Sequence, residues 1–227
     1  MTASRRVLCL CGSLRRVSSN RAALEAAQRL ARPGTSPSPD TPSPQRLSTA
    51  EGLVKPGSGD LDGAGPKALD SCFRGNDGQM ALELQLYDGL GSLPPFNPDD
   101  EHDLLPPSVL ALREAVGRAD ALLIASPEYA HGVPGVFKNL LDWLVGSLEF
   151  PGKPVLLLNT SARGSHHAQE ALAEILSTMS ARLLAAQPVT VPLPGAGCTA
   201  AQVLASTECC VALHAALDVL ADIPPRP

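Results

Sequence analysis

Positively charged residues are scarce in this chain, and long apolar runs are missing. Lys and Arg number 18 against 23 Asp and Glu, which gives a net charge of -5, and the basic residues form no stripe. This balance gives no sign of a nucleic-acid partner. No apolar run approaches the ~20 residues that a membrane-spanning helix requires. The sequence therefore predicts a protein that acts without nucleic acid and without a membrane.

The six cysteines have neither the spacing of a disulfide framework nor that of a zinc site. No Cys-x-x-Cys occurs, and the adjacent pairs His166-His167 and Cys209-Cys210 would each point in two directions on a helix, so we expect no metal. Several cysteines lie in apolar runs, where a reduced thiol packs as a small hydrophobic group. The apolar run after Arg5-Arg6 is too short for a signal peptide. These features favour a cytoplasmic protein.

What the chain does contain is an alternation of apolar runs and helix-like segments. Runs typical of strands cover residues 7–11, 80–87, 120–125, 153–159 and 183–191. Helical segments cover residues 22–30, 104–117, 134 onward, 167–181 and 200–221. This alternation predicts an α/β fold, a flavodoxin-like three-layer sandwich with a five-stranded parallel sheet of order 2-1-3-4-5. In such a sheet, ligands bind beyond the carboxyl ends of strands 1 and 3.

Residues 33–78 interrupt the alternation. Proline recurs at short intervals there, and Ser, Thr and Gly fill most of the gaps. Such a segment has too little apolar surface to offset the entropy of ordering. We therefore interpret residues 1–227 as a single flavodoxin-like domain that carries a Pro/Gly/Ser-rich, disordered insertion after its first helix.

The loop after the first strand has the composition of a phosphate site. It reads Gly-Ser-Leu-Arg-Arg-Val-Ser-Ser-Asn over residues 12–20. Backbone amides and the helix dipole favour an anion there, and further donors come from Ser13, Arg15, Ser18, Ser19 and Asn20. Neutral donors suit a phosphate that is held rather than cleaved, and no Gly-Lys-Ser/Thr follows as in a Walker loop. The alternative is that the serines only cap the helix.

A rival interpretation rests on the spacing from Cys9 to Arg15, which is that of the Cys-five-Arg loop of low-molecular-weight phosphotyrosine phosphatases. In those enzymes the thiolate attacks phosphorus and the arginine holds the oxygens. Cys9 precedes the turn at Gly12 and lies inside an apolar strand, so we expect it to be buried and inert. The chain also has no Asp-Pro dipeptide to supply the general acid.

Three segments carry a family resemblance. Residues 12–20 are similar to the pattern G-S-L-R-x-x-S-x-N, residues 127–143 to P-E-Y-N-x-x-x-P-G-x-L-K-N-x-x-D-W, and residues 93–99 to L-P-x-x-N-x-D. With these patterns the chain resembles the NAD(P)H-dependent FMN reductases, which include quinone, chromate and azo-dye reductases. The resemblance implies an enzyme that passes hydride or electrons from NADPH or NADH through bound FMN to a quinone, flavin or similar small molecule in a ping-pong cycle.

The resemblance also implies which residues contact FMN. The phosphate is expected at Ser13, Arg15, Ser18, Ser19 and Asn20, and the isoalloxazine at Pro127, Glu128, Tyr129 and Ala130. His131 is either a flavin neighbour or a solvated loop residue, and further ring contacts are expected from Ser161, Thr160 or Arg163.

The chain departs from the family pattern in two places. Ala130 stands where Asn is usual, and the loop after the fourth strand lacks much of the usual glycine. No catalytic side chain is expected, because the flavin carries the chemistry. Glu128 is expected to be a structural carboxylate that binds backbone amides.

An alternative function is a flavin-binding electron carrier without NAD(P)H turnover. Such carriers usually have a phosphate loop without arginine, so Arg15 favours the reductase. A third possibility is an inactive homologue. Because the insertion follows the first helix, away from the carboxyl ends of the strands, we expect the site to survive.

The helix that follows residue 134 has one apolar stripe, which predicts a core-facing side at Val133, Phe137, Leu140, Leu141 and Leu144. Trp143 lies off that stripe, so we expect it to be exposed and to contact a partner. The resembling family typically dimerises through this helix. We therefore expect a homodimer or a dimer of dimers.

Overall fold

The computed structural model describes residues 4–32, 81–101, 105–161 and 164–224. Its strands form one parallel sheet: β1 (Ser4–Cys11), β2 (Ala81–Leu86), β3 (Ala121–Ala125), β4 (Pro154–Asn159), β5 (Arg182–Leu183) and β6 (Val189–Thr190). The order is β2-β1-β3-β4-β5, and β6 also pairs with β4. This order confirms the flavodoxin-like sheet. The predicted insertion at residues 33–78 lies outside the described residues.

Helices cover both faces of the sheet: α1 (Ser19–Leu30), α2 (Pro107–Arg118), α3 (Gly135–Val145), α4 (His166–Thr178), α5 (Ala200–Leu204) and α6 (Thr207–Ala221). α1, α5 and α6 pack on one face, and α2, α3 and α4 on the other. Side chains of β1 alternate between the two cores, with Cys9 in the first and Leu8 and Leu10 in the second. Because both faces are covered, β3 is apolar throughout and β1 is apolar from Val7 to Cys11.

Two elements differ from the sequence prediction. The predicted strand at residues 183–191 pairs with β4 only near its two ends, as β5 and β6. The interruption contains Pro188, which has no N–H to contribute to a ladder. The predicted helix at residues 200–221 is two helices, because the Ser206 side chain accepts a hydrogen bond from Cys209 N at 3.4 Å and begins α6 anew.

The prediction of an exposed Trp143 is wrong. Its side chain is 0% exposed, its Nε1 donates to the main-chain oxygen of Pro94 at 2.8 Å, and its ring meets Phe96 edge-on at 5.0 Å. The loop between β2 and α2 covers this side of α3, which therefore buries more than the one stripe that faces the sheet. The predicted stripe itself is confirmed for Phe137 and Leu140 and their apolar neighbours on α3.

Two buried cations hold the ends of helices. Arg5 in β1 donates through Nη1 to the main-chain oxygen of Leu220 in the last turn of α6, at 3.1 Å. Lys153, which precedes β4, donates through Nζ to the main-chain oxygens of Val116 and Ala119 at 2.8 and 2.9 Å, where α2 ends. Carbonyl groups in the last turn of a helix have no partner inside the helix, and a cation there also complements the helix dipole.

Lys153→Met is expected to lower the free energy of unfolding by about 2 kcal/mol, because buried carbonyl groups of α2 lose a charged donor while apolar volume is kept. The measurement is urea unfolding followed by circular dichroism. Lys138→Met is the matched control, since Lys138 pairs with Asp142 on the surface of α3 and should contribute less than about 0.5 kcal/mol. Equal effects of the two substitutions would contradict the role assigned to Lys153.

None of the described helices combines the length and the apolar character needed to cross a membrane.

Candidate functional site

The loops after β1 and β3 begin in direct contact at the carboxyl edge of the sheet. Gly12 N donates to Ala125 O at 2.9 Å. A Cβ on Gly12 would lie 2.3 Å from Ser126 Oγ and 2.8 Å from Ser126 Cβ, so only glycine allows this approach. The point between β1 and β3 is the one at which ligands bind in sheets of this order. The two loops that the sequence singles out therefore share one edge and one starting point.

The first loop ends in a capped helix. Ser18 is the N-cap of α1, and its Oγ accepts from Arg21 N at 3.4 Å. Ser13 Oγ accepts from Arg15 N at 3.3 Å. The N–H groups of residues 16–20 donate to no acceptor in the described part of the chain. Unpaired amides at the start of a 12-residue helix form a site for an anion.

Two of the predicted phosphate residues also bind distant loops. Ser19 Oγ accepts from Gly197 N at 2.8 Å, and the Thr160 hydroxyl donates to Asn20 Oδ1 at 2.8 Å. These bonds leave the Ser19 hydroxyl proton and the side-chain NH₂ group of Asn20 as donors. They also attach the start of α1 to the loops that follow β4 and β6. Ser161 lies beside Thr160, its N–H donating to Asn159 Oδ1 at 3.0 Å.

Two arginines near this loop differ in whether they form ion pairs with described residues. Arg15 is exposed and forms no ion pair with any described residue, so it can meet an external anion. Arg21, which is not among the predicted site residues, pairs with Glu25 at 2.8 Å and with Asp88 at 2.7 Å. The second pair joins α1 to the loop after β2, so that loop also reaches the site.

The cysteine required for a phosphatase is inaccessible. Cys9 is 0% exposed, and burial raises the pKa of its thiol to about 12. A thiol in this state supplies almost no thiolate near neutral pH. Burial also raises the pKa of Cys11, whose Sγ lies 3.7 Å from Ser13 O. Neither cysteine can act as the nucleophile of a phosphatase loop.

The second loop is a tight hairpin. Tyr129 N donates to Gly132 O at 3.1 Å, and Gly132 N donates to Tyr129 O at 3.0 Å. Ala130 and His131 lie between them with φ of 50° and 59°, the left-handed conformation of a type I′ turn. Asn and Gly adopt that conformation readily, whereas Ala does so at a cost. The hairpin leaves the Tyr129 ring 49% exposed at the edge of the sheet.

Ala130→Asn is expected to raise the free energy of unfolding by about 1 kcal/mol, because Asn tolerates the left-handed region better than Ala. The measurement is urea unfolding. Ala201→Asn is the control, since Ala201 is exposed in α5 and Asn lowers stability in a right-handed helix by up to about 0.7 kcal/mol. If both substitutions lower stability, the hairpin is not strained at Ala130.

Glu128 is bound from two sides. Its Oε2 accepts from Ala168 N in the first turn of α4 at 2.9 Å, and its Oε1 lies 3.2 Å from His131 Nδ1. The Ala168 N–H, and secondarily the nearby imidazoles, lower the pKa of Glu128 below its usual value. Ser165, the N-cap of α4, makes no side-chain cap bond, so a carboxylate from the neighbouring loop takes that place.

Three imidazoles form a chain that begins at this carboxylate. The His131 ring meets His167 edge-on at 4.6 Å, and His167 lies against His166 at 4.0 Å. All three side chains are exposed. We call His131, His166 and His167 the histidine cluster. Among the described residues, no group of three or more His, Cys, Asp or Glu side chains is arranged to hold a metal ion.

The loop after β2 is held by two residues of α3. Asn139 Oδ1 accepts from Phe96 N at 2.7 Å, and Asn139 Nδ2 and Trp143 Nε1 both donate to Pro94 O, at 2.9 and 2.8 Å. The same loop approaches the phosphate loop, because a Cβ on Gly91 would lie 3.3 Å from the Leu14 side chain. Loops after β1, β2, β3 and β4 therefore meet at one edge.

Comparison with known proteins gives a consistent result. The family model described as NADPH-dependent FMN reductase matches residues 56–193, a range that begins within the predicted insertion and excludes the phosphate loop. The chain is 38% identical over 111 residues to the NADH:(hydroxy)cinnamate reductase subunit CrdA of Vibrio ruber, which covers 47% of this chain and 54% of that protein. It is 38% identical over 101 residues to an NAD(P)H-dependent FMN reductase of Pseudomonas aeruginosa, with 41% and 53% covered. The chain spans about half the length of these curated relatives.

Solved structures share the fold. The flavoenzyme NAD(P)H:(acceptor) oxidoreductase FerB from Paracoccus denitrificans superposes with a TM-score of 0.54 at 21% identity, with 95% of this chain and 97% of that chain covered. An oxidoreductase from Corynebacterium diphtheriae gives a TM-score of 0.55 at 18% identity, with 96% and 95% covered.

Proposed function

Because the chain belongs to the NADPH-dependent FMN reductase family, we propose that it is an FMN-dependent oxidoreductase that takes reducing equivalents from NADPH or NADH and passes them to a quinone, a flavin or a similar small molecule. Curated relatives include a quinone reductase of Escherichia coli, 33% identical over 101 residues, with 40% of this chain and 54% of that protein covered. When bound, FMN supplies the hydride and electron chemistry.

The observation that carries the proposal is the set of unpaired amides at residues 16–20. A phosphate monoester fits there, because binding it requires several hydrogen-bond donors and does not require a nucleophile. Ser13, Ser18 and Ser19 add hydroxyls, and Arg15 adds an unpaired positive charge. The Asn20 amide completes the donor set beside Thr160. Both deeply buried thiols lie beneath the loop, so the phosphate would be held and not cleaved.

The hairpin would hold the isoalloxazine. Pro127, Glu128, Tyr129 and Ala130, which follow β3, would contact the ring, and His131 and Ser161 would lie beside it. The Tyr129 ring is half exposed and offers an apolar surface with a polar tip. Glu128 fixes the hairpin to α4 through Ala168 N. This attachment would keep the hairpin backbone in one position toward the ring, since a carboxylate–amide bond is stronger than a neutral one.

The test is an anaerobic titration of the FMN-reconstituted protein with NADPH and NADH. We expect bound FMN and loss of the oxidised flavin absorbance with at least one of the two nucleotides. A protein that binds no FMN would overturn the proposal. FMN that binds but is reduced by neither nucleotide would identify an electron carrier instead.

Arg15→Gln is expected to weaken FMN binding about tenfold, because a charged donor to the phosphate is lost. Arg16→Gln is the matched control, since it removes the same charge from the next position of the loop. Fluorescence titration of FMN gives the dissociation constants. Equal losses in the two variants would show a general effect of charge and would leave Arg15 without a specific role.

We also propose that the protein is a homodimer or a dimer of dimers in the cytoplasm. Support for assembly comes from exposed apolar residues on and next to α2 and α3: Leu110, Val136, Val145 and Leu148, of which Leu148 is 95% exposed. Reduced cysteines in the described core agree with a cytoplasmic location. Light scattering after gel filtration should give a dimer or tetramer for the wild type and a smaller species for Val145→Lys. A monomeric wild-type protein would refute the assembly.

A further inference from the structure

We propose that His131, oriented by Glu128, is the catalytic residue that donates a proton to the electron acceptor. The inference rests on the proposed function and adds a side chain to chemistry that otherwise belongs to the flavin. It starts from a histidine–carboxylate pair that lies in the hairpin at the carboxyl edge of the sheet, with His131 Nδ1 3.2 Å from Glu128 Oε1.

The pair has one fixed member and one exposed member. Glu128 is held through its other oxygen by Ala168 N at 2.9 Å, and its side chain is only 17% exposed. The carboxylate therefore stays in place, with its second oxygen 3.2 Å from His131 Nδ1. The His131 side chain is 78% exposed. With Nδ1 engaged by the carboxylate, the nitrogen left for solvent or substrate is Nε2.

The titratable groups that face the His131 imidazole come from two elements. They are Glu128 on the hairpin and His167 on α4, whose ring centroid lies 4.6 Å away. His166 lies behind His167 at 4.0 Å. Imidazole is the side chain whose charge changes near neutral pH, which suits a donor that must be recharged in every cycle.

The reaction requires such a donor. A quinone becomes a hydroquinone by gaining two electrons and two protons. The reducing equivalent from NAD(P)H carries two electrons and one proton, and the second proton moves from Nε2 of the His131 imidazolium to a quinone oxygen. The neutral imidazole then takes a proton from water, so the sum is NAD(P)H plus H⁺ plus quinone giving NAD(P)⁺ plus hydroquinone. An acceptor that takes electrons alone, such as ferricyanide, needs no proton.

The experiment compares these two kinds of acceptor. The reduced protein is mixed in a stopped-flow instrument with 1,4-benzoquinone or with ferricyanide between about pH 6 and pH 9. For His131→Gln we expect reoxidation by benzoquinone to slow about 10- to 100-fold near neutral pH and to lose its decline with rising pH. Reoxidation by ferricyanide is expected to stay within about twofold. A solvent isotope effect on the quinone reaction in D₂O should disappear in the variant.

Two further variants separate proton donation from structure. His166→Gln is the matched control, because it removes an imidazole of the same cluster that does not contact Glu128, and it should leave both reactions unchanged. Glu128→Gln keeps an acceptor for Ala168 N and removes the charged partner of His131 Nδ1, so the quinone reaction should slow while the ferricyanide reaction stays within about twofold. Equal slowing with both acceptors in His131→Gln, or no slowing with either, would overturn the inference.

The outcome is distinguishable from failure of the proposed function. FMN affinity and the rate of reduction by NADPH are measured on each variant, and neither depends on a proton donor to the acceptor. A wild-type protein that binds no FMN or is not reduced refutes the reductase itself. A wild-type protein that is reduced normally, together with a His131→Gln variant that keeps the wild-type quinone profile, refutes only the role of His131.

Discussion

Trp143→Ala is expected to lower the free energy of unfolding by about 4 kcal/mol, which is the range for removing a fully buried aromatic ring. Trp143 is 0% exposed and packs edge-on against Phe96. The substitution also removes one of the two donors to Pro94 O, so the loop after β2 loses part of its attachment to α3. The loss therefore combines a cavity with the release of a loop that borders the site.

The measurement is urea unfolding followed by circular dichroism, because Trp143 is the chain's only tryptophan and fluorescence would lose its reporter. Trp143→Phe is the matched variant. It keeps most of the apolar volume but not the bond to Pro94 O, and should cost about 1 kcal/mol for that bond in addition to a small cavity. A tryptophan that served only a subunit contact would instead leave monomer unfolding unchanged and shift the dimer to monomer.

The error about Trp143 has a physical cause. A pattern of apolar residues on α3 identifies the side that faces the sheet, and Trp143 lies off it. The other side of α3, which carries Trp143, is covered by the loop between β2 and α2. Nothing in the spacing of residues within α3 indicates this contact. One signal was present: Asn139 and Trp143 are four residues apart, so they lie on the same side of the helix, and both reach Pro94.

Local chemistry explains why most of the sheet was predictable. β1, β3 and β4 are covered on both faces, so each contains a continuous apolar run that identifies it without reference to its neighbours. The last part of the chain was less predictable. β5 and β6 each have two residues, too few for an alternation to emerge. Ser206, the N-cap of α6, did carry a capping signal, but the predicted helix runs across it.

The candidate site also has features that follow from local sequence and features that depend on distant residues. The cap at Ser18 follows from local sequence, whereas the bonds of Ser19 to Gly197 and of Asn20 to Thr160 join residues 178 and 140 positions apart. No spacing rule could pair them. The hairpin was missed as a hairpin because Ala130 and His131 are not residues that a type I′ turn selects. Its sequence indicated a functional loop, and only the backbone conformation shows its shape.

Gly12→Ala is expected to lower FMN affinity at least tenfold and the free energy of unfolding by about 2 kcal/mol. The added Cβ would lie 2.3 Å from Ser126 Oγ, 2.8 Å from Ser126 Cβ and 3.1 Å from Ser126 Cα. Rotation of the serine side chain can relieve only the first contact, so the two backbones must move apart. The phosphate loop and the hairpin both start at this point, so the shift would change the distance between them. FMN could then no longer place its phosphate in one loop and its ring against the other equally well.

A double-mutant cycle tests that reasoning. Ser126→Gly removes the Oγ and Cβ that the new methyl group would meet and leaves the 3.1 Å approach to Cα, so Gly12→Ala combined with Ser126→Gly should recover most of the stability and the FMN affinity. Gly135→Ala is the control for an added methyl group, because nothing lies within 4 Å of its Cβ position at the start of α3. Additive losses in the double variant would mean that Gly12 is needed for its own backbone and not for the contact between the loops. Recovery of stability without recovery of FMN affinity would place the effect in the phosphate loop alone, with the spacing of the two loops no longer the cause.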